Sequence, residues 1–378
     1  MVIKRNWLFI FGIILSIVIR LYFIQNGSEV ADIHSLREMG EITLKGGNPY
    51  LLLNYNSYPP LAIYLEIITI KLSMFFNIPF YILIKFWPNL ADLITGLIIF
   101  RFLQRKYKNS YSPTVWSLAF LLNPISILIS SAHGQIDSIP SLLVIMAILI
   151  LQFKNSKVYL FSGAILLGLA SLIKPNPLIL VPVILIFLYQ KTKSLEKIIF
   201  LLLIFGTIFI FFWPFLKSNP QLILSKLFDY SGANDFGLSA VLRTNYFYHN
   251  ATYQLPNTDE LLKNSKIVFL IILAIFGILA RKSKNLIRLC LTTYLLFITI
   301  YFGISAQYLS WILALAILEK DKMVIPFTIF GLIALLGYYF YFNPTILLAQ
   351  FSNIQPYQFQ FMIIYAFGNL LFWLTNGI

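Results

Sequence analysis

Apolar runs long enough to cross a bilayer recur from end to end of this chain, and the breaks between them carry short basic clusters. A spanning helix needs about 17–25 mainly apolar residues. Repetition of such runs predicts an all-α polytopic membrane protein. Composition agrees: 59% of the 378 residues are hydrophobic and 11% are charged, against roughly a quarter charged in soluble domains. The net charge of +14 could suggest nucleic acid. The cations, however, sit in short loops between apolar segments, as in cytoplasmic connections, so no nucleic-acid partner is expected. The single Cys290 lies in an apolar segment and offers neither a disulfide framework nor a thiolate metal site.

The first apolar segment, Trp7 to Ile24, follows Lys4 and Arg5 and reads as a retained anchor with its start inside. Its Arg20 lies near the outer end, where it can snorkel or pair with the loop beyond. That loop, Asn26 to Leu61, is polar and falls outside. Within it Ile33, Leu36, Met39 and Ile42 recur every three residues, predicting an amphipathic helix along the membrane surface. The next apolar run, Leu61 to Phe76, carries Glu66 and Lys71. If it crossed, the basic segment with Arg101, Arg105, Lys106 and Lys108 would land outside, against the positive-inside bias. It is therefore expected to be a re-entrant or interfacial helix, and Phe80 to Phe100 is the second span. Ten more follow at about 112–131, 138–153, 158–173, 178–190, 196–215, 265–280, 286–303, 304–318, 324–342 and 358–376. With that assignment 17 of the 28 basic residues face inside, together with only three of the 14 acidic ones. The chain is read as one membrane-embedded domain, 1–378, with a first outer loop at 25–79 and a second at 216–265.

Polar residues cluster where the spans meet the outer surface: Ser131-Ala-His-Gly-Gln-Ile-Asp137, Lys174-Pro-Asn-Pro177 and Ser305-Ala-Gln-Tyr-Leu-Ser-Trp311. Carboxylates, a few cations and amides at one depth suit group transfer from a lipid-phosphate donor. The acceptor hydroxyl needs a base, and the departing phosphate needs positive charge or hydrogen-bond donors.

An acidic residue early in the first outer loop, then GNPY, then YPPL, then an Asp in the following span resembles the GT-C superfamily of polyprenyl-phosphate-sugar-dependent glycosyltransferases. The segments LLNPISILISSAHGQIDSI, GLASLIKPNPLILVP and SAQYLSWIL continue the likeness in order. It is nearest to the catalytic subunit of GPI mannosyltransferase and its prokaryotic relatives, and covers about residues 20–190 and 300–318. The resemblance implies a GT-C-type bundle of roughly 12 transmembrane helices, whose large first outer loop carries amphipathic and re-entrant helices. It also implies a general base at the position of Asp32, with Glu29 as the rival. The paired-Asp motif of the GPI enzyme is replaced here by Glu29-Val-Ala-Asp32-Ile-His34, which weakens the case for a metal. No cofactor is required in this reading, because the leaving group is already a stabilised phosphate.

Each residue also has a plainer reading. Asp32 could cap the helix that begins at Ile33, and Asp137 could cap the span starting at Ser138 or contact substrate. Asp92 reads as structurally paired within its span. Tyr58 of the YPPL motif and Tyr308 read as structural, and Trp311 as a belt aromatic. Lys174 either meets the donor phosphate or snorkels. His133 and Gln307 could donate hydrogen bonds to sugar or phosphate, and Arg243 and His249 could close over the phosphate from the second outer loop.

The expected activity is inverting transfer of a hexose, mannose by the resemblance, from a polyprenyl- or dolichyl-phosphate donor. The acceptor would be a hydroxyl of a glycan, glycolipid or protein on the outer face. Beyond donor and acceptor, the expected partners are membrane lipids. The membrane would be the plasma membrane in a prokaryote and the endoplasmic reticulum in a eukaryote. A transporter or flippase for a lipid-linked saccharide is the alternative. It would favour two matching halves, and no internal repeat is visible. A non-catalytic subunit of a membrane glycosyltransferase is a third reading.

Overall fold

The computed structural model describes residues 2–27, 30–54, 58–108, 110–153, 156–189, 191–228, 232, 235–250, 257–342, 346–347 and 358–376. Among these the chain is helical throughout. Six helices are long and apolar enough to cross a membrane, and six shorter apolar helices accompany them. The protein is an integral, multi-pass membrane protein of all-α architecture.

The first spanning helix, α1 (Val2–Asn26), leads into α2 (Ala31–Leu44), which buries Ile33, Leu36, Met39 and Gly40. That three- to four-residue spacing puts one stripe against the bundle and leaves His34 and Arg37 outward. Arg37 pairs with Glu41 at 2.8 Å on the outer face. The helix ends at Lys45, and Gly46 takes a left-handed φ of 80°.

A single turn, α3 (Pro49–Leu52), follows, with the Asn48 side chain accepting from the Tyr50 N–H at 3.1 Å. This accounts for the GNPY motif. Asn48 supplies the cap and Pro49 takes the first helical position, where a missing N–H costs nothing. The Tyr50 hydroxyl then donates to the Tyr58 carbonyl at 2.7 Å, tying GNPY to YPPL.

The next helix, α4 (Pro60–Phe76), lies along the outer end of the bundle. Its first turn donates from Leu61 and Ala62 N–H to the Leu172 carbonyl at 3.0 and 3.3 Å. Half-way along, Thr69 Oγ1 accepts from Trp87 Nε1 at 2.8 Å. Leu172 follows the Lys157–Ser171 helix and Trp87 opens the Phe86–Lys106 helix, so a helix touching both runs across those two helix ends. It packs on α2 where Gly40 faces Glu66; a Cβ on Gly40 would meet Ile70 Cδ1 at 2.7 Å and Glu66 Cβ at 3.0 Å.

The span expected at Phe80–Phe100 is broken into one turn, α5 (Phe80–Leu83), and a long helix, α6 (Phe86–Lys106), with Lys85 at the joint. The segment expected at 112–131 is likewise interrupted. It comprises α7 (Ser112–Leu121), α8 (Pro124–Ile127) and a π-helical turn, Leu128–His133. Pro124 cannot donate into the helix, and Asn123 caps the restart by accepting from Ile125 N–H at 3.0 Å.

The remaining helices are α9 (Ser138–Phe153), α10 (Lys157–Ser171), α11 (Val181–Tyr189), α12 (Ser194–Leu216), α13 (Pro220–Phe228), α14 (Leu238–Asn250) and α15 (Thr258–Leu279). Then come α16 (Leu286–Ile300), α17 (Leu309–Glu319), α18 (Val324–Phe342) and α19 (Gln358–Asn376). Contacts at the inner end join the connections assigned inside: Arg288 with Asp321, Asn285 with Glu319 at 2.9 Å, and Lys320 over the Tyr107 ring at 4.0 Å.

Arg20 corrects the expectation that it snorkels outward. It is 2% exposed and fills the space between α1, α6 and α8. Its guanidinium donates to Asp92 Oδ2 at 2.8 Å, Asn89 Oδ1 at 2.9 Å, Ser126 Oγ at 2.8 Å, Ser16 Oγ at 3.2 Å and the Leu121 carbonyl at 3.3 Å. Asp92 Oδ2 also accepts from Ser126 and Ser130 at 2.8 and 2.7 Å. With five acceptors arranged around it inside the bundle, the cation is better satisfied there than at the headgroups. Asp92 is thus structurally paired. Arg20→Lys keeps the charge but cannot fan out to these acceptors. It should cost about 2 kcal/mol, one to two charge-assisted hydrogen bonds, whereas Arg288→Lys at the exposed inner pair should cost less than about 1 kcal/mol. Denaturation in detergent checks both.

Candidate functional site

The π-helical turn widens the end of the Ser112–His133 segment, and Gly134 follows with φ of 83°. A side chain at Gly134 would run into Ile33 Cδ1 at 2.9 Å and Lys85 Cγ at 3.0 Å, so the turn and the docking of α2 depend on this glycine. Beyond it the chain runs non-helically to Asp137. The alternating residues His133, Gln135 and Asp137 are thereby presented to a common cluster.

Asp32 meets that cluster from α2. Its Oδ2 lies 3.2 Å from His133 Nε2 and also accepts from Gln135 Nε2. The second imidazole nitrogen, Nδ1, is 3.2 Å from the Tyr339 hydroxyl. The tautomer with its proton on Nε2 satisfies both contacts, donating to the carboxylate and accepting from the phenol. Among the described residues Oδ1 of Asp32 receives no hydrogen bond. The side chain is 49% exposed, while His133 is buried. Asp32 is not the helix cap, because that position is Val30. It sits in the first turn, where the helix dipole favours a negative charge.

Burial pushes the Asp32 carboxyl upward, but the His133 hydrogen bond and electrostatic attraction, the Lys174 charge and the Gln135 hydrogen bond outweigh it. The net position is below the ordinary 3.8. The group is a carboxylate at neutral pH.

Gln135 passes the contact onward: its Oε1 accepts from Lys174 Nζ at 3.3 Å. Lys174 is ion-paired with Asp137 Oδ2, and the other Asp137 oxygen accepts from Trp311 Nε1 at 2.8 Å. The Asp137 side chain is 0% exposed and that of Lys174 9%. Both Asp137 side-chain oxygens are thus engaged inside, by Lys174 and Trp311. Trp311 is a buried hydrogen-bond donor rather than a belt aromatic, and Tyr308 stacks on it at 4.0 Å. Lys174 also stands 5.4 Å from the centre of the Tyr58 ring, which lays YPPL against the same cation.

The second outer loop contributes a further carboxylate. Asp235 is paired with Arg243, and its backbone N–H donates to the Ile304 carbonyl at 2.8 Å. Its backbone carbonyl accepts from the Tyr365 hydroxyl. Burial raises the Asp235 carboxyl above its ordinary value, Arg243 opposes that, and repulsion from Asp32 adds to it. Asp235 therefore feels the Asp32 charge; burial leaves Asp235 raised, whereas His133, Lys174 and Gln135 leave Asp32 lowered. Lys226, from the same loop, donates to the Tyr50 carbonyl at 2.8 Å and to that of Leu53, clamping the first loop to the second.

Arg243 is held by Asp235 and faces the Phe342 ring at 5.5 Å. Gln307 lies half-buried on the short turn before α17, giving its backbone carbonyl to Ser310 at 2.7 Å. Glu29 and the His249 side chain lie outside the described residues. Among the described residues no three His, Cys, Asp or Glu side chains converge as metal ligands would. Sequence reading passed over Gln135, Tyr339 and Asp235. Gln135 had a visible signal in the every-second-residue spacing of HGQID, and Asp235 in lying with Arg243 in the polar second outer loop; Tyr339 had none.

The family model of the GPI transamidase subunit PIG-U matches residues 8–230, more than half of the chain and the whole of the first-loop and His133–Lys174 region. The chain belongs to the PIG-U family. GPI mannosyltransferase 1 of Candida albicans (strain SC5314 / ATCC MYA-2876) is 26% identical over 322 residues, covering 79% of this chain and 77% of that protein. The GPI alpha-1,4-mannosyltransferase I catalytic subunit of Danio rerio is 27% identical over 146 residues, 39% of this chain and 34% of that protein. The resemblance carried by GNPY, YPPL and HGQID is thus borne out for this PIG-U family member.

Proposed function

We propose that the chain is a membrane mannosyltransferase that moves mannose, with inversion, from a polyprenyl- or dolichyl-phosphate carrier to an acceptor hydroxyl at the outer face. The observation that carries the reading is the Asp32 carboxylate. It is ionised, half-exposed, and fixed from behind by buried His133 and Gln135. Similarity to two GPI mannosyltransferases supports the sugar and a GPI-type glycolipid acceptor. It also favours the endoplasmic reticulum membrane with the site on the lumenal side.

In the reaction an Asp32 oxygen takes the acceptor hydroxyl proton, and the freed oxygen attacks the anomeric carbon. The bond from that carbon to the phosphate oxygen breaks from the opposite face, and its electron pair leaves with the phosphate. Lys174, behind Gln135 and paired with Asp137, and Arg243, on the second loop and paired with Asp235, are the cations assigned to the phosphate. Because the phosphate leaves already charge-stabilised, the reaction needs no resident metal, and chelation should leave the rate unchanged.

A second reading rests on the family description as a transamidase subunit, in which the chain would serve a complex without transferring sugar itself. The deciding experiment reconstitutes the purified chain in liposomes with a polyprenyl-phosphate-linked, labelled mannose donor and a GPI-type glycolipid acceptor. Label appearing in the acceptor supports the transferase. No transfer by the chain alone, with transfer on adding a partner whose own base is intact, supports the subunit reading.

A further inference from the structure

At the opposite end of the bundle from Asp32, α11, α12 and α15 enclose a groove of about 580 Å³, a size typical of small-molecule sites. Its walls are aliphatic, with Ile186 of α11 and Ile278 of α15 among the lining residues. Gly277 sets its depth, since a Cβ there would stand 2.5 Å from Ile186 Cδ1. Ile278 and Tyr189 are exposed along its rim, where the bilayer lies.

One end of the groove is basic. Lys197, in the first turn of α12, and Arg281, just past α15, both line it. Lys197 Nζ sits 4.3 Å from the Tyr189 ring centre. The neighbouring carboxylate, Glu196, accepts from the Lys193 N–H at 3.0 Å and lies 3.9 Å from Lys157 Nζ. Three helix ends therefore place two cations at headgroup depth above an apolar cleft that opens toward lipid.

We propose that this groove binds a diacyl phospholipid with an anionic headgroup from the inner leaflet. Lys197 and Arg281 meet the headgroup, and an acyl chain lies between α11 and α15. Basic pockets between transmembrane helices on the cytoplasmic side recognise anionic lipids in this way, and the apolar walls contribute by van der Waals packing against the acyl chain. The site is separate from the sugar chemistry, because it opens on the other face of the membrane.

Native mass spectrometry of the full chain in detergent tests the proposal. The chain is titrated with phosphatidylglycerol, with phosphatidylcholine of the same acyl chains, and with a polyprenyl phosphate. One phosphatidylglycerol should be retained at least about tenfold more tightly than phosphatidylcholine. Lys197→Gln/Arg281→Gln should remove that preference. Ala274→Phe, which fills the groove and leaves the charges intact, should weaken retention of both diacyl lipids. Arg105→Gln/Lys322→Gln, on the same side but away from the groove, should change nothing. Equal retention of the two diacyl lipids, an equal loss in the control variant, or displacement by polyprenyl phosphate in preference to phosphatidylglycerol would overturn it.

Discussion

Asp32→Asn lowers mannose transfer by about 100- to 10,000-fold in kcat, the range expected for loss of a general base, with little change in the KM for the donor. The amide occupies the same space and keeps α2 docked through Ile33, Leu36 and Met39, so the loss is one of chemistry. The pH profile adds a second readout. Only the ionised base works, so activity falls as pH drops through the Asp32 pKa. That pKa lies below the ordinary 3.8 because His133, Lys174 and Gln135 outweigh burial. His133→Ala removes the largest of the lowering influences and leaves burial in place, so the acid limb of kcat/KM should move upward.

The linkage to stability has the matching sign. A carboxyl more acidic in the folded than in the unfolded protein stabilises the fold above pH 3.8, and that contribution disappears as pH falls through the folded value. Full activity in a folded Asp32→Asn protein would remove Asp32 from the mechanism. Loss of transfer in Glu29→Gln alone would assign the base to Glu29.

The second large effect concerns Lys174. In Lys174→Met the wholly buried Asp137 keeps only its Trp311 hydrogen bond, and stranding a buried charge in this way costs about 3–5 kcal/mol. Lys174→Met/Asp137→Leu removes both charges and should regain most of that stability, since a buried ion pair can be exchanged for apolar packing at small net cost. Transfer should not return with it, because the Gln135 carbonyl has lost its donor and Asp32 has lost a nearby positive charge. Denaturation and transfer measured on the same three proteins separate the two roles. A single variant as stable as the parent would overturn this account of the Lys174–Asp137 pair.

What was legible in the sequence follows from which signals are local. Apolar length and the placement of Lys and Arg are properties of neighbouring residues, and they marked where the long apolar helices lie. Local chemistry also marked Asp32, His133, Lys174 and Asp137 as polar groups that a lipid-facing helix end does not require. It could not show that they touch one another in a row, with Gln135 between them. Nor could it show that Asp137 is neutralised by the very cation expected to meet substrate. Those facts depend on partners far away in the chain: Tyr339 lies 206 residues from His133, and Trp311 lies 174 from Asp137. Arg20 was misjudged for the same reason, since its acceptors on α6 and α8 come from 69 to 106 residues further along. The break at Lys85 and the π turn before Gly134 are also tertiary outcomes.

The half-open setting of Asp32 bears on selectivity against water. A base that water can reach will also activate water, and the solvent is the most concentrated nucleophile available. Nothing among the buried partners of Asp32 shuts it out. On the proposed mechanism, and among the described residues, the acceptor is then its own lid, broad enough to cover the carboxylate as its hydroxyl arrives. A short soluble sugar would leave the site wet and let donor be lost to hydrolysis. A bulky acceptor anchored in the membrane would arrive already oriented, and would dry the site as it binds.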